Sequence, residues 1–158
     1  MEAETGYLQV PAARLYYETR GAGPALLLIA GGAGDAGSYE RITRHLAMDY
    51  KVVTYDRRGY ARSPLEDPNQ LVEIRAHSAD VHHLLDTLSG APAAVLGCSI
   101  GALIGLDLII RYPEQVHTLI AHEPPIPALL TGAWRLQADQ MQKDLLDSVQ
   151  REGAATAI

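Results

Sequence analysis

The sequence predicts an α/β fold, three layers deep, with helices on both faces of a mostly parallel sheet. Three observations predict it. Short apolar runs, too brief for helices, alternate with longer stretches of helical periodicity, which is the pattern of βαβ units. Two of those runs, Ala25–Ala30 (ALLLIA) and Lys51–Tyr55 (KVVTY), are apolar at most positions, as strands covered on both faces must be. Gly and Pro clusters punctuate the boundaries between them.

The elements follow in order. Tyr7–Pro11 and Arg14–Thr19 carry aromatic and β-branched residues and predict a hairpin across Ala12-Ala13. Gly21-Ala22-Gly23-Pro24 is a turn, and the ALLLIA strand follows it. A Gly-rich loop, GGAGDAG, spans residues 31–37, and Ser38 is expected to cap a helix running to about Met48. After KVVTY, residues 57–76 read as loop, with Pro64 and Pro68. Ser78–Leu88 predicts a helix that puts Val81, Leu84, Leu85 and Leu88 on one face. Ala93–Leu96 is a short strand entering the Gly97–Gly101 turn. Ile100–Tyr112, apolar nearly all round and followed by Pro113, predicts a buried helix. Val116–Ala121 is the last strand. Pro124, Pro125 and Pro127 then break the alternation. Beyond them Trp134, Ala138, Met141, Leu145 and Val149 form the stripe of an amphipathic helix expected to end near Gly153. Residues 1–123 thus read as one region and 124–158 as another.

Composition narrows the functional classes. The 158 residues are 47% apolar and 20% charged, enough for a sizeable core in an ordinary globular chain. A net charge of −6, with no Lys/Arg run, weighs against nucleic acid and against an anionic membrane surface. No apolar stretch is long enough to span a bilayer, and the opening MEAETGY lacks the profile of a signal peptide. Cys98 is the sole cysteine, which excludes an internal disulfide and a cysteine-based zinc cluster. These features predict a cytoplasmic protein.

Two motifs compete for the chemistry. Gly32-Ala33-Gly34-Asp35-Ala36-Gly37 is a G-x-G-x-x-G between a strand and a helix, and Asp56 ends the next strand, where a ribose-binding acid would stand. That pattern suits a dinucleotide. It leaves unexplained a second motif, Gly97-Cys98-Ser99-Ile100-Gly101, a G-x-S-x-G at a later strand–helix turn. Small residues on both sides of Ser99 allow a sharp turn that lifts Oγ above the sheet, with a helix N-terminus behind it. The N–H of Ile100 then faces the same space and can bind an oxyanion, and the Gly-rich loop is placed to supply a second donor. The plainer alternative makes Ser99 a helix cap and the two glycines packing residues.

Taken together, LLLIAGGAG, YDRRGYARS, LGCSIGA and RYPEQVHTLIAHEPP resemble the N-terminal half of α/β-hydrolase-fold proteins, from about Gly6 to Glu123. The resemblance implies a three-layer fold of which this chain carries about six of eight strands. It implies a serine-type hydrolase with no cofactor and no metal, acting on a small-molecule substrate of ester, lactone or amide-like kind, with Ser99 as nucleophile and Gly32 and Ile100 as oxyanion donors. Gly31, Ala33, His122 and Trp134 fall where such a substrate pocket would lie, and residues 124–158 resemble the start of a cap. Ala30 stands where the family often has histidine, and Ala61 where it usually has glycine. The family's acid and histidine follow its seventh and eighth strands, beyond the six counted here. In some branches the acid follows the sixth strand, which makes Glu123 a candidate. A completing C-terminal segment, a second copy of the chain or a domain swap is therefore expected, and a non-catalytic ligand-binding relative is the alternative. His77, His82 and His83, with Asp80 on the face of His83, read as a solvated polar face rather than a metal site, and Cys98 as a small buried residue.

Overall fold

The computed structural model describes residues 2–152. Residues up to Pro124 form one compact unit and those from Pro125 a second. The first unit runs β1 (Glu4–Val10), β2 (Ala13–Arg20), β3 (Ala25–Ile29), α1 (Glu40–Leu46), β4 (Lys51–Tyr55), α2 (Ile74–Leu88), β5 (Ala93–Cys98), α3 (Ile100–Arg111) and β6 (Val116–His122). The second holds a short 3-10 turn, Pro127–Leu129, and α4 (Gly132–Glu152).

The six strands form one sheet in the order β1-β2-β4-β3-β5-β6. The hairpin β1–β2 is antiparallel and β2 pairs antiparallel with β4, while β4, β3, β5 and β6 are parallel. Strand alternation then sorts the side chains into layers. Leu27, Ile29, Val53, Tyr55 and Val95 face α2 and α3, where they meet Val81, Leu84, Ile104 and Leu108. Leu26, Leu28 and Val52 face the other way, toward Leu46 and Ala47 at the end of α1. Both faces of β3 are therefore buried, which is why its sequence has no polar alternation.

Several boundaries differ from the sequence expectation for non-local reasons. Ser38 caps nothing: it lies in a 3-10 turn, Ala36–Tyr39, and α1 starts after Tyr39 with no side-chain cap. The carboxylate of Asp56, twenty positions along, accepts the Ala36 N–H at 2.8 Å instead. The helix expected from Ser78 begins at Ile74, which packs on the core. Ile110 of α3 is 77% exposed, so that helix is buried on one side and not all round. The stripe on α4 is largely exposed, at Trp134, Met141 and Leu145; the Val149 side chain and Gly153 lie outside the described residues. No helix among the described residues is long and apolar enough to cross a membrane.

The polar face expected on α2 is not solvated. Asp80 is fully buried and takes two hydrogen bonds from Arg58, one to Oδ1 from Nη2 and one to Oδ2 from Nε at 2.6 Å. His82 stacks on Tyr112, with ring centroids 4.0 Å apart. His77 is 4% exposed, and its Nδ1 has no hydrogen-bond partner among the described residues. Among the described residues no cluster of three or more His, Cys, Asp or Glu could hold a metal ion.

Burial, reinforced by the positive charges of Arg57 and Arg58, pushes His77 down to about 4. A histidine held neutral in the folded state but free to protonate when unfolded contributes stability above its unfolded value, and that contribution is lost as pH falls toward the folded one. Between about pH 6.5 and pH 4 this loss amounts to roughly 3 kcal/mol. Urea unfolding of wild type and His77→Gln at both ends of that window should show the wild type losing about that much more stability on acidification. Parallel losses in the two proteins would refute the assignment.

Candidate active site

The G-x-S-x-G turn joins β5 to α3 at the C-terminal edge of the parallel strands, where ligands bind in open α/β sheets. Ser99 has φ 54° and ψ −120°, a strained conformation for a residue with a Cβ. The flanking glycines are demanded by close approach. A Cβ on Gly97 would lie 2.2 Å from the Gly101 carbonyl oxygen, and one on Gly101 would lie 2.3 Å from that of Ile29. The start of α3 therefore rests directly on the end of β3.

Ser99 makes no side-chain capping bond to α3, which removes the helix-cap reading. Its backbone N–H donates to the His122 carbonyl at 2.9 Å and so ties the turn to β6. Gly31 abuts it from just beyond β3: a Cβ there would sit 3.3 Å from the Cys98 carbonyl and 3.5 Å from Ser99 Cβ. Beside it Gly32 borders open space, with nothing within 4 Å of where its Cβ would be. Neither the Gly32 N–H nor that of Ile100, the first residue of α3, donates a hydrogen bond among the described residues. A helix leaves its first N–H groups unpaired by construction. Ala33 is exposed at the tip of the same loop.

The remaining candidates are less convergent. His122 is exposed, and its Nδ1 lies 3.6 Å from Cys98 Sγ and 3.9 Å from Glu123 Oε2. Cys98 is thus half-buried beside a histidine and not enclosed as expected. Glu123 follows β6 with φ 50°, and its side chain is 81% exposed. Neither His122 nor Glu123 hydrogen-bonds Ser99 Oγ. Trp134 belongs to the second unit, on α4, with its ring 71% exposed.

The loop after β4 is a brace that sequence reading recognised only as a pattern. Burial works to raise the Asp56 carboxyl, but bonds from the Arg62 guanidinium and from the Ala36 and Arg62 N–H groups outweigh it and hold it below its ordinary value. That carboxylate is fully buried and engaged, so it is not free to bind a ribose. Ser63 Oγ donates to the Asp56 carbonyl at 2.7 Å and accepts the Tyr16 N–H at 2.9 Å, which ties the loop to β2.

Comparison with known proteins identifies the family. Residues 24–156 match the family described as the alpha/beta hydrolase fold. The chain belongs to the α/β-hydrolase family. It is 49% identical over 145 residues to the uncharacterized hydrolase YraK of Bacillus subtilis (strain 168), covering 92% of this chain and 54% of that one. It is 30% identical over 135 residues to the zearalenone hydrolase of Bionectria ochroleuca, covering 82% and 51%. A solved hydrolase from Pseudomonas aeruginosa PA01, 24% identical, superposes with a TM-score of 0.75 over 94% of this chain and 54% of that one, a likeness of fold. The chain thus spans about half the length of the curated relatives it matches.

The glycine geometry makes a paired prediction for this α/β-hydrolase chain. Gly97→Ala should destabilise by about 3 kcal/mol, because backbone must move to admit the methyl group. Gly32→Ala should stay within about 0.5 kcal/mol of wild type. Urea denaturation of both variants tests this, and equal midpoints would contradict it.

Proposed function

We propose that the complete protein is a cofactor-independent serine hydrolase of small ester, lactone or amide-like substrates, with Ser99 as nucleophile. The observation that carries this is the conformation of Ser99, held at φ 54° between β5 and α3 by glycines that nothing larger can replace. A strained residue at the ligand-binding edge of a sheet is kept where function needs it.

In this reading Ser99 Oγ attacks the substrate carbonyl and loses its proton to a histidine. The oxyanion that forms is held by the unpaired N–H groups of Ile100 and Gly32, and collapse of the adduct expels the alcohol or amine leaving group, which takes up the proton. Water then releases the acyl group by the same route in reverse. The base is supplied by a completing segment or a partner chain, in keeping with the chain spanning about half the length of its relatives. The acid comes from the same source or from Glu123, which lies at the same sheet edge. Gly31, Ala33 and His122 border the substrate, and residues 124–158, with Trp134, begin the cap. The names of the relatives support hydrolysis and leave the substrate of this protein to experiment.

Treatment with a fluorophosphonate, followed by intact-mass spectrometry, should give a single adduct that disappears in Ser99→Ala. Hydrolysis of p-nitrophenyl acetate should fall by about 10⁴-fold or more in that variant. An unlabelled serine in a folded, full-length protein would instead favour a ligand-binding relative. An adduct that survives the substitution would put the nucleophile elsewhere.

A further inference from the structure

Arg57 is the largest fully buried side chain described in the chain, only 1% exposed. It joins no ion pair among the described residues; Asp56 is held by Arg62 and Asp80 by Arg58. Its Nε and Nη1 have no partner among the described residues. Two contacts remain to it. The guanidinium lies over the Tyr60 ring, 4.3 Å from the centroid, and Nη2 donates to the Gly31 carbonyl at 2.8 Å. An unpaired buried cation is a poor stabilising device, because an apolar side chain of similar size usually serves a core as well or better.

What that cation holds is specific. The Gly31 carbonyl and the Gly32 N–H belong to one peptide unit. A trans peptide is planar, with its C=O and N–H pointing in opposite directions, and no peptide bond among the described residues is cis. Whatever fixes the carbonyl therefore fixes the direction of the N–H. Gly31 O also accepts the Gly34 N–H at 3.1 Å, so two donors grip this plane. With glycine on both sides of the peptide bond, little else restrains its rotation.

Arg57 is itself well anchored for the task. Its N–H donates to Gly34 O at 2.7 Å, and its carbonyl accepts the Tyr60 N–H at 2.9 Å. The Tyr60 ring beneath the guanidinium is pressed on Gly34, where a Cβ would lie 2.4 Å from it. A charged donor on the carbonyl also polarises the amide and makes its N–H a stronger donor.

We infer that Arg57 is a positioning residue for the oxyanion site: its buried guanidinium locks the Gly31–Gly32 peptide so that the Gly32 N–H stays aimed at the space beside Ser99. This rests on the Ser99 reading above. It adds a residue that acts on the transition state through another group and touches no substrate.

The test uses Arg57→Met, Arg57→Gln and Arg57→Lys in the full-length protein. It measures kcat and KM for p-nitrophenyl acetate, and Ki for a trifluoromethyl ketone, whose serine adduct places an oxyanion in the same site. Arg57→Met should fold, lose about 10- to 100-fold in kcat with KM within about twofold, and bind the ketone more weakly by the same factor. Across all variants that fold, the loss in log kcat should follow the rise in log Ki with a slope near one. Wild-type kcat and Ki in the folded variants would overturn the positioning role, as would a fall in kcat with Ki unchanged. Hydrolysis that survives Ser99→Ala would instead overturn the Ser99 reading on which it rests.

Discussion

The start of α3 packs so tightly on the end of β3 that no side chain fits between them, and the rest of the site depends on that approach. Gly101 lies against the Ile29 carbonyl and Gly97 against Gly101. Once the helix is forced down onto the sheet at this point, the chain leaving β5 has one residue in which to reverse its course. That residue is Ser99, and its positive φ is the consequence. The same geometry brings Gly31 against Ser99, because Gly31 lies just beyond the strand on which α3 rests. Packing of the core and exposure of the hydroxyl are thus one constraint seen from two sides.

The loop after β4 sustains this arrangement from behind. It carries Asp56, Arg57, Arg58 and Ser63, all buried, and each fastens a different piece of chain. Asp56 holds the start of the turn before α1, Arg58 holds α2 through Asp80, Ser63 holds β2, and Arg57 holds Gly31. Four pieces of chain therefore converge on one short loop, fastened by charged and polar groups. Such networks specify a single arrangement more sharply than apolar contacts do, since every misplacement leaves a buried polar group unpaired.

The strands were legible in the sequence because burial on two faces leaves an unmistakable composition, as in ALLLIA and KVVTY. The Ser99 turn was legible because its glycines are required by sterics. What sequence reading missed were features decided at long range. The early start of α2 depends on Ile74 reaching the core, and the turn before α1 is capped by Asp56 from across the sheet in place of the neighbouring Ser38. Asp80 looked like part of a solvated face because its partner, Arg58, lies 22 residues away in the loop after β4, and the arginine charges that act on His77 lie in that same loop. Arg57 itself carried no signal: within a run of three arginines over six residues, nothing local distinguishes the buried from the exposed.

The distribution of unpartnered polar atoms follows the same logic. Of the buried side-chain atoms without a hydrogen-bond partner among the described residues, Arg20 Nε lies at the end of β2, while Tyr55 Oη, Arg57 Nε and Nη1, and His77 Nδ1 gather around the loop after β4. Burial raises the Tyr55 hydroxyl, and burial together with the charges of Arg57 and Arg58 depresses His77. Folds tolerate local violations of polar pairing chiefly where something other than stability is being selected. Among them Arg57 lies one hydrogen bond from the Gly31 carbonyl and, through Gly31, one van der Waals contact from Ser99. The unpaired charge of Arg57 and the strained backbone of Ser99 thus meet at one peptide, Gly31–Gly32, which the first holds and the second packs against.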